Sequence, residues 1–190
     1  MLNTYARFLG VFFGASMILL SVLIAVETIV RKSFSVSLGG VDEWGGYAMA
    51  IGAPIAFAVA LVEQAHIRIN LLHQRLSRRT RAVLNAVSML SMGILSLYLL
   101  YFTVKTVIDT QTYRSIAQTP MATPLIYPQS IWLVAMALFA LTAVLLTARA
   151  LILLAGRDWA ALNQQFGPAS AQEELDAELE DAKKRKEMEQ

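Results

Sequence analysis

Long uncharged apolar runs dominate this chain. Phe8 to Val26 carries no charge, and the apolar pattern continues past Glu27 to Val30. Trp44 to Val62, Ala82 to Val104 and Gln129 to Ala148 are also uncharged, the last continuing past Arg149 to Ala155. A helix rises ~1.5 Å per residue, so each run covers the roughly 30 Å of a bilayer core. Backbone in hydrocarbon must bond to itself, and the runs lack the alternation of membrane strands. The pattern therefore predicts an all-α integral membrane protein with four transmembrane helices. The first run is longer than a signal-peptide core. Glu27, Arg31 and Lys32 follow it without a small-residue cleavage pattern, so it reads as a retained span.

The connection Gln64 to Arg81 is too polar to span. Wound as a helix, it sets Ala65, Ile69, Leu72, Leu76 and Val83 in one apolar stripe, with Arg68, Arg75 and Arg79 along its edge. This predicts an amphipathic helix between spans 2 and 3, its stripe in the acyl boundary and its arginines on anionic phospholipid headgroups. A short helix packed on a protein partner is the competing reading. His66 and His73 share the segment but are seven residues apart, too far for chelation on one helix. They read as caps or headgroup contacts.

Charge orients the spans. Arg68, Arg75, Arg78, Arg79 and Arg81 lie between spans 2 and 3. Only Arg31 and Lys32 lie between spans 1 and 2, and only Lys105 and Arg114 between spans 3 and 4. The positive-inside rule then places both termini and the amphipathic helix in the cytoplasm, N-in/C-in. Trp44, Tyr47, Tyr127 and Trp132 fall at the outer ends of spans 2 and 4, where interfacial aromatics belong.

Composition narrows the function classes. The 190 residues are 56% hydrophobic and 16% charged, against about 25% charged in soluble domains, which excludes an ordinary soluble protein. The net charge of +2 averages two unlike pieces. Residues 1–156 form a mildly basic four-helix membrane domain. Residues 157–190 form a polar, charged cytoplasmic tail holding nine acids and five bases. The basic pI is therefore no argument for nucleic-acid binding. With no cysteine there is no disulfide, thiolate metal site or Fe–S cluster. The chain carries no Gly-rich phosphate loop, no His-Glu-x-x-His and no nucleophile constellation, so it reads as non-catalytic, with no cofactor or metal of its own.

Few residues invite a sharper reading. Glu27 is the one acid well inside an apolar run, and intramembrane carboxylates are often functional. Arg31 stands four residues on, in good order for a structural ion pair, and the pair is the preferred reading. Asp42 is a candidate cap for span 2, with Glu43 favourable in the first turn. Pro54 should bend span 2, and Pro128 suits the first turn of span 4. Thr110 to Thr123 is polar enough to dock something outside the membrane, or to be an ordered, inert loop. Asp42, Glu43 and Arg114 are the candidate periplasmic docking residues. The tail breaks at Gly167-Pro168, after which Ser170-x-x-Glu173 reads as a capping box.

The order of these features resembles the small, four-helix, Q-type (DctQ-like) membrane subunit of tripartite ATP-independent periplasmic (TRAP) transporters. The matching pieces are Arg31 near the end of span 1 and Asp42-Glu43 before span 2. His66-Ile67-Arg68-Ile69-Asn70-Leu71-Leu72 follows span 2 directly, then a basic amphipathic stretch. Thr123-Pro124-Leu125-Ile126-Tyr127-Pro128, with Trp132, opens span 4. The resemblance covers roughly residues 5–155 and leaves the tail outside. It implies a scaffold subunit in the bacterial inner membrane. Its partners would be a large (M-type) membrane subunit that binds Na+ and moves as an elevator, and a periplasmic substrate-binding protein that delivers an organic acid anion. Two other classes compete: a self-contained proton-coupled transporter using Glu27, and the membrane anchor of a redox enzyme. The spans hold no histidine for haem, which makes the anchor the weaker of the two.

Overall fold

The computed structural model describes residues 2–35, 39–63, 76–167 and 179, the side chains of 2–9, 12 and 42 excepted. Among the described residues five helices follow one another: α1 (Leu2–Phe34), α2 (Val41–Glu63), α3 (Arg78–Tyr113), α4 (Ile126–Ala155) and α5 (Trp159–Phe166). The first four are each long and apolar enough to cross a membrane, and each contains one of the uncharged runs. Among the described residues the only β pairing is an isolated bridge between Ile116 and Pro124.

The amphipathic connection needs a correction at its end. Leu76 is a bend, Ser77 is non-helical, and α3 starts at Arg78. The Ser77 hydroxyl accepts from the Thr80 amide at 3.3 Å, and the Ser77 carbonyl accepts from the Arg81 amide at 3.0 Å. A serine that satisfies orphan amides this way starts a helix. Arg79 and Val83 therefore belong to α3, not to a helix continuous through Gln64. Arg68, Arg75, His66 and His73 lie outside the described residues.

The chain forms two compact units, residues 1–63 with 92–145, and residues 64–91 with 146–190. In the first unit α1 packs on α2. Gly52 leaves room for the Phe13 ring, which a Cβ at that position would strike. Of the described α1 side chains, Glu27 is the one that is buried. The α3 portion of this unit buries Gly93, Ser96, Thr103 and Thr110. The α4 portion buries Ala135, Met136, Phe139, Ala140 and Ala143, with Phe139 against the Phe57 ring at 5.9 Å between centroids.

Most of these buried positions are small residues, and those of α3 recur at steps of three and seven. Apolar burial drives little helix association in lipid, because the acyl chains are as apolar as leucine. Close backbone approach across small side chains supplies the packing instead, and spacing of this kind is that of a left-handed helix seam. Hydroxyls within the seam turn back on their own helix: Ser96 donates to the Gly93 carbonyl at 2.8 Å, and Thr103 to that of Leu99 at 2.9 Å.

The second unit repeats the scheme. Ala82, Ala86 and Met89 of α3 are buried, as are Thr147 and Ala150 of α4. Thr147 donates across to the Met89 carbonyl at 2.7 Å, a direct hydrogen bond between the two helices. The chain leaves α4 by a Schellman motif: Asp158 N–H reaches the Leu153 carbonyl (3.0 Å), and Arg157 N–H that of Leu154 (3.1 Å). Arg157, at the left-handed position, has φ 54°. Asp158 then caps α5 by accepting from the Ala161 amide at 3.0 Å.

Composition alone assigns Trp159–Phe166 to a polar tail, yet it is a packed helix. Leu162 and Phe166 are buried, and Asn163 ties the helix to α3. The Asn163 amide nitrogen donates to the Arg78 carbonyl at 2.9 Å, while its oxygen accepts from Asn85 at 3.1 Å. The proposed capping box at Ser170 and Glu173 lies outside the described residues.

Leu162 is fully buried, so Leu162→Ala is expected to cost about 2–5 kcal/mol of local stability. Limited proteolysis in detergent should then cut within residues 157–167 well before the rest of the chain. Cleavage at the wild-type rate would mean that α5 is not docked.

Candidate functional site

The residues singled out for docking fall at one end of the first unit, where α2 begins and α3 hands over to α4. Gly39 and Gly40 are both left-handed (φ 65° and 85°) and turn the chain into α2. The Gly40 carbonyl accepts from the Trp44 amide at 3.1 Å, so the cap falls on Gly40, not Asp42. Asp42 stands inside the first turn, and its side chain lies outside the described residues. A Cβ on Gly40 would run into Met121 of the α3–α4 connection.

That connection is an ordered hairpin. Ala117 N–H bonds the Thr123 carbonyl (2.9 Å), and Leu125 N–H bonds that of Ser115 (3.1 Å), flanking the Ile116–Pro124 bridge. A turn with Pro120 at its second position closes the tip, where Ala122 N–H meets the Thr119 carbonyl at 3.0 Å. Helix α3 ends in its own Schellman bond, Ser115 N–H to the Thr110 carbonyl at 3.1 Å. Arg114 takes the left-handed position of that motif with φ 49°. Glycine is the usual occupant, and a side chain there costs about 1 kcal/mol or more.

Glu43 is corrected by burial. It is only 6% exposed and so presents no docking face. One carboxylate oxygen accepts from the Tyr47 hydroxyl at 2.9 Å, and the Thr123 side chain stands beside that hydroxyl. The other oxygen is buried with no donor among the described residues. Glu43 thus ties α2 to the base of the hairpin through Tyr47. The i,i+4 spacing of Glu43 and Tyr47 is visible in the sequence, but nothing there marks the pair as buried. Arg114, in contrast, is exposed and has no ion pair or hydrogen-bond partner among the described residues.

Beside this cluster runs an open, mainly apolar groove of about 330 Å³. Gly46, Tyr47 and Ala50 of α2 form one wall, and Leu125 with Pro128, Gln129 and Trp132 of α4 the other. The Gln129 side-chain oxygen is buried with no donor among the described residues. The sequence marks Tyr47 and Trp132 as interfacial aromatics and Pro128 as a first-turn proline, but marks Gln129 only as the start of an uncharged run.

Glu27 and Arg31 form the ion pair that their spacing allows. Arg31 places both Nε (3.1 Å) and a terminal nitrogen (2.8 Å) on the same Glu27 oxygen. Glu27 is 3% exposed, while Arg31 reaches outward. The arginine compensates a carboxylate that would otherwise be costly to bury. Arg79 stands exposed in the first turn of α3. Among the described residues no three His, Cys, Asp or Glu side chains gather as a metal site would require.

Tyr47→Phe removes the one donor to the buried Glu43 among the described residues. It should destabilise the protein by about 1–3 kcal/mol, read from thermal unfolding in detergent by tryptophan fluorescence. Adding Glu43→Met should recover most of the loss, because no buried carboxylate is then left unpaired. A double variant less stable than Tyr47→Phe would show that Glu43 has another stabilising partner.

No curated protein and no solved structure matches the chain. A family model does: the one described as tripartite ATP-independent periplasmic transporters, DctQ component, over residues 20–153. The match runs from within α1 almost to the end of α4. It covers the buried ion pair, the Glu43–Tyr47 contact and the hairpin. The family is a transporter component and not an enzyme family, and its four apolar helices make this chain a multi-pass inner-membrane protein. The chain belongs to the DctQ component family of tripartite ATP-independent periplasmic (TRAP) transporters.

Proposed function

We propose that the chain is the non-catalytic scaffold subunit of a Na+-coupled TRAP transporter for organic acid anions. In this reading it pairs with the large elevator-type membrane subunit, which holds the Na+ and substrate sites, and a periplasmic binding protein delivers the anion. The observation that carries the reading is the Glu27–Arg31 pair. The one acid well inside an apolar run is committed to a neighbouring cation four residues away. That favours a structural role over the rival reading, in which Glu27 moves protons. The small-residue packing of α3 and α4 suits a scaffold, since close-packed helices hold still while a neighbour moves.

The orientation belongs to the same proposal. Both termini face the cytoplasm, with the basic segment Gln64 to Arg81 on that side and the hairpin in the periplasm. Arg79 would then sit at the cytoplasmic lipid surface. Together with Arg68 and Arg75 it would hold anionic headgroups and anchor the scaffold laterally.

Reconstitution tests the function. The purified chain alone in liposomes should not transport, and adding the large subunit and the binding protein should restore Na+-driven uptake. Glu27→Gln should lower complex stability and leave residual uptake in the complexes that assemble. Uptake abolished in fully assembled Glu27→Gln complexes would favour the proton-coupled reading.

Topology is tested separately, because the chain has no cysteine of its own. A single cysteine at Gln118 in the hairpin should react with a membrane-impermeant maleimide on intact spheroplasts. One at Gln164 on α5 should react only after permeabilisation. The reverse pattern overturns the orientation.

A further inference from the structure

The second compact unit is left with unbalanced charge. Its described part comprises residues 76–91 and 146–167. That part holds five arginines, Arg78, Arg79, Arg81, Arg149 and Arg157, against one acid, Asp158. The acid is engaged as the cap of α5, on the Ala161 amide. None of the five arginines has an ion pair or a side-chain hydrogen bond among the described residues. Arg78 and Arg79 are exposed in the first turn of α3. Arg81 is half-buried, and its Nε is wholly buried with no acceptor among the described residues. A guanidinium stripped of part of its water gains more from an anion than a fully hydrated one.

The complementary charge lies just beyond α5, and it starts beside these arginines. Asn163 bonds the Arg78 carbonyl, and Phe166, three residues on, is buried at the end of α5. The backbone is extended at Gly167 (φ −78°, ψ 154°), and Pro168 follows, so the helix stops there. Residues 173–181 then carry Glu173, Glu174, Asp176, Glu178, Glu180 and Asp181 without a single base. Apart from Leu179, which is exposed, this stretch lies outside the described residues. Glu180 and Asp181 have Lys184 and Arg185 four residues on, in pairing order. The other four acids have no base at that spacing, and Glu174 meets Glu178 there, like charge against like. Glu173 is seven residues on from Phe166, a reach of up to about 25 Å. So short a tether holds the acids near the arginines at roughly millimolar effective concentration.

We propose that the acidic stretch 173–181 docks on Arg78, Arg79 and Arg81 at the start of α3, and there competes with anionic lipid headgroups. Charge complementarity and the short tether at Phe166 select this segment as the occupant. The contact lies within one compact unit, so it stands whichever side of the membrane this end faces. It goes beyond the scaffold reading and does not rest on it. In that reading Arg79 holds headgroups, and the tail makes that hold conditional. Where anionic lipid is sparse, the carboxylates cover the arginines. Where it is dense, headgroups displace the carboxylates and the tail is released. Lateral anchoring thereby follows the anionic content of the bilayer.

The test uses the full chain, which has no native cysteine. Thr80→Cys and Ala177→Cys are combined, and intramolecular disulfide formation under a mild oxidant is timed in detergent by peptide mass spectrometry. Glu173→Gln, Glu174→Gln, Asp176→Asn and Glu178→Gln together leave α3 and α5 untouched, and should slow the disulfide about tenfold. Arg78→Gln with Arg79→Gln should slow it similarly, and about 1 M salt should erase these differences. Exchanging the charges, Arg78→Glu and Arg79→Glu with Glu174→Lys and Glu178→Lys, should restore the rate, which a merely structural effect would not do. Phosphatidylglycerol added to the micelles should slow the disulfide progressively, and phosphatidylcholine should not. A rate indifferent to the charges on either side overturns the contact. A rate that phosphatidylglycerol does not lower overturns the competition with lipid. Transport by the chain alone would sink the scaffold reading and leave this contact standing.

Discussion

Close approach between helices in a solvent that does not push them together is the constraint on which this structure depends. In lipid, burying a leucine against another leucine gains little over burying it against an acyl chain. Association then rests on van der Waals contact and on hydrogen bonds that a bilayer cannot replace. The chain meets this with small residues. Ala82, Ala86, Gly93 and Ser96 on α3, and Ala135, Ala140, Ala143 and Ala150 on α4, are buried while much larger side chains around them face outward. Thr147 adds a hydrogen bond to the Met89 carbonyl. Helices α3 and α4 turn most of their bulky residues outward and bury mainly small ones, with Met89, Met136 and Phe139 the exceptions.

The polar groups are held by the same economy. Glu27, Glu43, Asn85 and Thr147 are buried, and each has a partner close at hand: Arg31, Tyr47, Asn163 and the Met89 carbonyl. The two acids are answered from one helical turn away on their own helices. The two neutral groups are answered from another helix. A buried polar atom left alone costs more than its hydrogen bond gains, so these few contacts constrain the fold strongly. Glu43 is the uneven case, with one oxygen engaged and one without a donor among the described residues.

The scaffold reading fits this distribution. Motion is expected of a membrane protein where helices are broken or where charged groups line a path. In the described part of this chain, effort goes into fixing positions: capping α3 at Ser77, closing α3 and α4 with Schellman motifs, and seating the hairpin on Gly40. An ordered hairpin on close-packed helices is a platform, and its use depends on what the neighbouring subunits bring.

The sequence by itself determined the class, the number of spans and the Glu27–Arg31 pairing. These depend on local quantities: run length against bilayer thickness, and residues one helical turn apart. Family membership was likewise legible from Asp42-Glu43, the His66 segment and the Pro124–Pro128 stretch. Only the tertiary structure decided that Glu43 is buried and Arg114 is not, although both are charged residues at helix ends. It also decided that Trp159–Phe166 is a docked helix, because Leu162 and Phe166 are too few to give a pattern until Arg78 and Asn85 stand opposite Asn163. The small-residue seam was present in the spacing of Ala82, Ala86, Met89, Gly93 and Ser96. Hydrophobicity does not separate a lipid-facing position from a protein-facing one in a membrane span. That distinction lies in side-chain size and in which helix stands opposite, and the second is a property of the folded chain alone.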